Sequence, residues 1–129
     1  MKALDTNVVI RLLVADDPAQ AVLAEAQITV PVLISLTVLL ETAWVLASRY
    51  GLVREATATV LLNFIDQPTI TIEEPMLVRW AIERFRSGAD FADMIHLVAA
   101  RAGSAFVTFD RAMGREAGTD SPVPVELLG

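Results

Sequence analysis

The sequence predicts an α/β fold: a mainly parallel central sheet with helices on both faces. Short apolar runs with β-branched residues alternate with longer amphipathic runs along the whole chain. Glycine and proline fall mostly at the joints between those runs. A chain of 129 residues, 54% of them hydrophobic, suits one domain and excludes an intrinsically disordered polymer. The expectation is therefore a single domain over residues 1–129, with no repeat and no linker.

The first strand is expected over Lys2–Asp5. Thr6 and Asn7 then turn the chain into a helical segment over Val8–Val14. Asp16-Asp17-Pro18 is a helix start, with an Asp cap before a proline whose missing N–H costs nothing in the first turn. Its helix covers Ala19–Gln27. Val30–Ile34 is an uninterrupted apolar run and reads as a buried strand. Ser35 or Thr37 caps a helix over Leu36–Tyr50, which Gly51 stops. Another helix spans Arg54–Ile65, Pro68 breaks it, and Thr69–Ile72 forms the third strand. Glu73-Glu74-Pro75 opens a helix to Ser87, with negative charge at its positive end. Asp90 caps a helix to Ala102, Ala105–Phe109 is the fourth strand, and Arg111–Ala117 is a short helix. Pro122–Leu127 reads as an edge strand, the position in a sheet that tolerates proline.

Composition removes several chemistries. There is no cysteine, hence no disulfide, thiolate metal site or cysteine nucleophile, and the single histidine excludes a multi-histidine zinc site. The formal charge of −6 disfavours coating a polyanion by charge alone. Asp5 interrupts the N-terminal apolar run too early for a signal peptide. Ile28–Ala47 approaches membrane-spanning length but carries Pro31 and Glu41, so it reads as a strand running into a helix. The expected compartment is the cytoplasm, with no membrane contact.

Ligands of parallel α/β sheets bind at the carboxyl ends of the strands. Four acids fall near that edge: Asp5, Glu41, Asp93 and Asp110. Glu41 lies among Leu39, Leu40, Ala43 and Trp44, where an unpaired carboxylate is expensive. Clustered carboxylates must take up protons or hold a cation. Oxygen-only donors select hard Mg²⁺ or Mn²⁺. Each acid also has a plainer role. Asp5 fits a turn with Thr6 and Asn7, Asp93 a reciprocal helix cap with Asp90, and Asp110 a turn with Arg111. His96, three residues beyond Asp93, reads as structural. Trp44, Trp80, Phe85 and Phe91 read as core or interface. Arg11, Arg86, Arg111 and Arg115 are candidate contacts to backbone phosphates.

Leu4-Asp5-Thr6-Asn7, Leu40-Glu41-Thr42-Ala43-Trp44, Asp90-Phe91-Ala92-Asp93 with its apolar helix, and Val107-Thr108-Phe109-Asp110 together resemble a PIN domain. The four acids are separated by 36, 52 and 17 residues. The nearest likeness is to the VapC-type toxins of bacterial toxin–antitoxin pairs. The resemblance implies a three-layer α/β/α sandwich and a Mg²⁺- or Mn²⁺-dependent endoribonuclease. Its acidic quartet would be Asp5, Glu41, Asp93 and Asp110, with Asp5 and Asp93 on the metal. Polar support would come from Thr6, Asn7, Asp90 and Thr108. It also implies RNA as substrate, a homodimer, and a small cognate antitoxin protein that covers the site. The loop after Asp110 departs from the pattern by lacking a further acid or asparagine.

Two other families place an aspartate after a first strand. A haloacid-dehalogenase-like phosphatase needs a second aspartate where Asn7 stands. A response-regulator receiver needs a lysine near its last strands, and Lys2 is the only lysine here. A non-catalytic metal-binding or protein-interaction module of the same fold is the remaining alternative.

Overall fold

The computed structural model describes residues 1–129. It is mixed α/β, with seven helices, and every strand pairing is parallel. Contacts divide the chain into two compact units, Met1–Glu73 and Glu74–Gly129.

The first unit runs β1 (Lys2–Ala3), α1 (Thr6–Leu13), α2 (Pro18–Gln27), β2 (Val32–Ile34), α3 (Leu36–Ser48), α4 (Arg54–Ile65) and β3 (Ile70–Ile72). Its three strands lie in the order β1-β2-β3, with Ala3 opposite Leu33 and Ile34 opposite Ile72. Parallel neighbours need a crossover connection. Here α1 and α2 make the first crossover, and α3 and α4 the second. The buried core consists of Val9 and Ile10 from α1, Val32 and Ile34 from β2, Leu39 and Leu46 from α3, and Leu61 and Phe64 from α4. With Thr6 in α1, Ala43 in α3 and Ala58 and Ile65 in α4, the buried positions of these three helices recur three and four residues apart, as one inward-facing stripe requires.

Local chemistry adjusts several expected boundaries. β1 stops at Ala3, although Leu4 N–H still donates to the Leu33 carbonyl at 3.1 Å. Asp5 does not end a strand: it is the N-cap of α1, and Thr6 and Asn7 form the first helical turn rather than a separate turn. Ser35, not Thr37, caps α3, its hydroxyl accepting from Val38 N–H at 3.2 Å. Gly51 ends α3 as expected. Its φ is 66°, and Leu52 N–H reaches back to the Leu46 carbonyl at 3.0 Å, a left-handed helix stop that a side chain would strain.

The second unit runs α5 (Pro75–Arg86), α6 (Phe91–Ala99), β4 (Phe106–Thr108), α7 (Met113–Ala117) and β5 (Val125–Leu127). Helices α5 and α6 pack together, and Val78, Ala81 and Ile82 of the first and Met94, Leu97 and Val98 of the second are buried. The Phe85 and Phe91 rings lie 5.3 Å apart and tilted, a favourable aromatic arrangement. β4 and β5 form their own two-stranded parallel ladder. The final strand begins only after Pro124. Proline offers no N–H to the ladder, but the Pro124 carbonyl still accepts from Phe106 N–H at 2.7 Å. Helix α6 is shorter than expected because Ala100 already lies outside helical geometry and closes it.

No helix is long and apolar enough to cross a membrane. The Ile28–Ala47 stretch is split between β2 and α3, with Ser35 capping the helix between them.

Candidate active site

The first unit supplies Asp5, Thr6, Asn7 and Glu41. Asp5 has extended geometry at the head of α1, and its Oδ1 accepts from Thr6 N–H at 2.8 Å. Thr6 is only 4% exposed, and its hydroxyl donates to Glu41 Oε1. Glu41 sits in the second turn of α3, where helix packing leaves it facing out: the side chain is exposed, not buried among its apolar neighbours as the sequence suggests. The reason is periodicity. Leu39, Thr42, Ala43 and Leu46 occupy the buried face of α3, while Thr37, Glu41 and Trp44 fall on the other. Trp44 is 68% exposed, so it is not part of this unit's core. A cleft of about 580 Å³ opens beside Asp5 and Asn7, walled by Val8, Arg11, Gln20 and Leu23.

Arg11 does not offer a free guanidinium there. Its Nε donates to Gln20 at 2.6 Å, and one terminal nitrogen meets Asp16 at 3.3 Å and the Tyr50 hydroxyl at 3.5 Å. Tyr50 in turn donates to Asp16 at 2.7 Å. The expected phosphate contact is thus a clamp tying the ends of α1, α2 and α3.

The second unit supplies Asp90, Asp93, Thr108 and Asp110. Asp90 caps α6, its Oδ2 accepting from Asp93 N–H at 3.0 Å. The Asp93 carboxylate returns no hydrogen bond, so the pair makes half of the reciprocal cap. That leaves the Asp93 carboxylate uncommitted. Its pKa is raised from the usual carboxylate value: burial contributes most, then the charges of Asp90 and Asp110, with Glu116 adding to them, while His96 pulls the other way. Asp93 therefore lies within electrostatic reach of Asp110, 17 residues away along the chain.

Asp110 is exposed and held from two sides. Its N–H donates to Thr108 Oγ1 at 2.9 Å, and its Oδ1 accepts from Ala112 N–H at 2.9 Å. Thr108 at the end of β4 thus orients the backbone that carries the acid. Phe109 between them lies beyond the strand and is 79% exposed. Glu116 on α7 is the acid that sequence reasoning passed over. Its only signal was its place six residues beyond Asp110, and the charge it adds around Asp93 appears only in three dimensions. His96 is exposed on α6. Among the arginines, Arg86 approaches Glu83 at 3.4 Å, and Arg111 and Arg115 are exposed.

The structure thus links Asp5 to Glu41 through Thr6, and Asp93 to Asp110 through the field. No three of the chain's Asp, Glu and His side chains stand close enough to hold a metal ion among them. Mg²⁺ commonly takes one or two carboxylates and keeps water in its other positions. The carboxylate donors suit such a hydrated hard ion, and the charge crowding around Asp93 is what a cation relieves.

A sequence model described as the PIN domain matches residues 2–118. No curated protein and no solved structure matches the chain.

Proposed function

The chain belongs to the PIN domain family, and from that membership we propose that it is a Mg²⁺- or Mn²⁺-dependent endoribonuclease, the toxin of a toxin–antitoxin pair. PIN domains are generally nucleases, that is hydrolases, and generally use divalent ions. The finer reading adds RNA as substrate, a homodimer acting in the cytoplasm, and a small antitoxin as partner. The observation that carries it is the half-buried Asp93 carboxylate, which accepts no hydrogen bond and whose pKa is raised first by burial and then by Asp90 and Asp110, with Glu116 adding and His96 opposing. Perturbed acids with a charged neighbour concentrate at functional sites.

In this reading Asp5, Glu41, Asp93 and Asp110 serve one reaction, the hydrolysis of a phosphodiester. Water adds to phosphorus, the bond to the leaving sugar oxygen breaks, and that oxygen takes up a proton. A bound divalent ion supplies charge neutralisation at the phosphate and a more acidic water. Asp5 and Asp93 would hold it. Glu41 and Asp110 would complete the anionic pocket, orient the attacking water, or share a second ion. Thr108 keeps Asp110 in place through its backbone, and Thr6 does the same for Glu41 through its hydroxyl. Mg²⁺ acidifies water less than Zn²⁺ does, so positioning by these residues must carry much of the rate.

Purified protein incubated with single-stranded RNA is expected to cleave it in Mg²⁺ or Mn²⁺, to stop in EDTA, and to recover on adding Mn²⁺. Asp5→Asn and Glu41→Gln are expected to lower kcat/KM by at least about a hundredfold while far-ultraviolet circular dichroism is unchanged. Equal cleavage by wild type and Asp5→Asn, or turnover in EDTA, would overturn the assignment. Metal binding without any cleavage would favour a non-catalytic module of this fold.

A further inference from the structure

A pocket of about 260 Å³ opens on the second unit, lined by Arg84, Ser87, Gly88 and Ala89 from the end of α5 and by Arg115 and Glu116 of α7. Arg84 is half-buried, and backbone alone holds its guanidinium. Nε donates to the Glu116 carbonyl at 2.6 Å and Nη2 to the Arg115 carbonyl at 3.4 Å. Both carbonyls belong to the last turn of α7, where a cation is favoured. Gly118 leaves the guanidinium its room, since a Cβ there would lie 3.2 Å from Arg84 Cζ. The fold therefore fixes this cation, yet no carboxylate stands at ion-pair distance from it. A guanidinium has several N–H donors in a planar fork, and the two carbonyls leave Nη1 unused. Arg115 and Ser87 are exposed, and neither side chain has a partner within the protein. Two arginines without a carboxylate and a free hydroxyl thus line one pocket, against a single acid, Glu116.

We propose that this pocket is a subsite for one backbone phosphate of the RNA strand, a phosphate other than the one that is cleaved. The proposal rests on the nuclease reading and adds where the strand is gripped. A planar guanidinium is well matched to phosphate oxygens. One already immobilised by the fold loses little further freedom on binding. The pocket also adjoins the candidate site. Ala89 immediately precedes Asp90, and Glu116 on the pocket wall is one of the charges that Asp93 feels. In a chain of net charge −6, these are cations that no acid neutralises, beside acids expected to act on a phosphodiester. A phosphate contact of this kind carries no sequence information. It sets the register of the strand, and so decides which linkage reaches the acids.

The test changes Arg115, which braces nothing, and leaves Arg84 to hold α7. Inorganic phosphate is titrated at constant ionic strength into the full chain labelled with nitrogen-15, and the Arg84 Nε–H and the Ser87 and Gly88 amide resonances are followed. Saturable shifts are expected in wild type, and Arg115→Ala is expected to need about fivefold more phosphate. Acetate is expected to leave these resonances in place. An equal response to acetate makes the pocket a carboxylate site for a protein partner and overturns the proposal. In cleavage of single-stranded RNA, Arg115→Ala is expected to raise KM about fivefold with little change in kcat. The slope of log KM against log salt is expected to fall by about 0.7. Neutral methylphosphonate linkages are then placed one at a time along the strand. At one linkage other than the cleaved one, wild type is expected to lose about fivefold in kcat/KM and Arg115→Ala to lose nothing further. The absence of such a linkage, or a wild-type KM and salt slope in Arg115→Ala, overturns the proposal. If wild type cleaves RNA and phosphate moves none of these resonances, only the subsite falls. If wild type cleaves no RNA, the nuclease reading falls, and the assignment of the pocket to RNA falls with it.

Discussion

At the scale of single residues, Asp93 shows how a helix start comes to hold a perturbed acid. Its N–H is taken by Asp90, its carboxylate is not, and three acids crowd it. Because its pKa is raised in the folded state, the folded protein binds more protons than the unfolded chain at pH values just above the ordinary carboxylate range. The sign follows: stability is greatest below the unfolded pKa and declines as pH rises through the folded one. In EDTA, Asp93→Asn is expected to raise the melting temperature slightly at pH 7 and to change it little at pH 3. Thermal melts across that range check it, and a lower melting temperature for the variant at neutral pH would contradict the assignment of cause. None of this was legible in the string Asp90-Phe91-Ala92-Asp93. The sequence showed a cap and a candidate ligand in one place, but not the burial of Asp93 or the approach of Asp110 and Glu116 that raise its pKa. Glu41 carries the opposite lesson. Its apolar neighbours in sequence suggested burial, but helical rotation sends Leu39 and Ala43 inward and Glu41 outward together with Trp44.

At the scale of elements, the caps do most of the placing. Asp5 starts α1, Ser35 starts α3 and Asp90 starts α6, so three of the helices that carry candidate site residues begin at a side-chain cap. Two of those three caps, Asp5 and Asp90, are themselves candidate site residues, which is why one sequence signal located both the helices and the acids. Ser35→Ala removes the oxygen that satisfies Val38 N–H and is expected to cost about 1 kcal/mol, lowering the melting temperature by about 3–5 °C. Cleavage per folded molecule is expected to be unchanged, because Glu41 lies more than a turn beyond the cap. Thermal denaturation with a parallel rate measurement checks both parts. Strand limits were less legible than helix starts. Strands of two or three residues have too little period to mark their own ends, and a cap at Asp5 or a proline at 124 sets them instead.

At the scale of the whole molecule, the parallel pairings follow from the alternation of strand and helix, and that much was visible without coordinates. The division of the strands into ladders of three and two was not, since register depends on neighbours distant in sequence. Charge acts at this scale too. A net charge of −6 repels a polyanion, and Arg11, one of the few cations near Asp5, is already engaged. Fluorescence anisotropy with a phosphorothioate single-stranded RNA is expected to show no saturable binding in EDTA at moderate salt and saturable binding once Mg²⁺ is added. Equal affinity in both conditions would mean that the protein recognises RNA by side chains alone.

The ladder between β4 and β5 has a practical corollary. Phe106 leans on Pro124, and Leu128 N–H reaches Thr108 at 2.8 Å, so the segment presenting Asp110 is braced by the last few residues. An affinity tag or a trimmed C-terminus there alters the support of Asp110, and preparations differing only in that tail should be compared before any difference between them is ascribed to a substitution elsewhere.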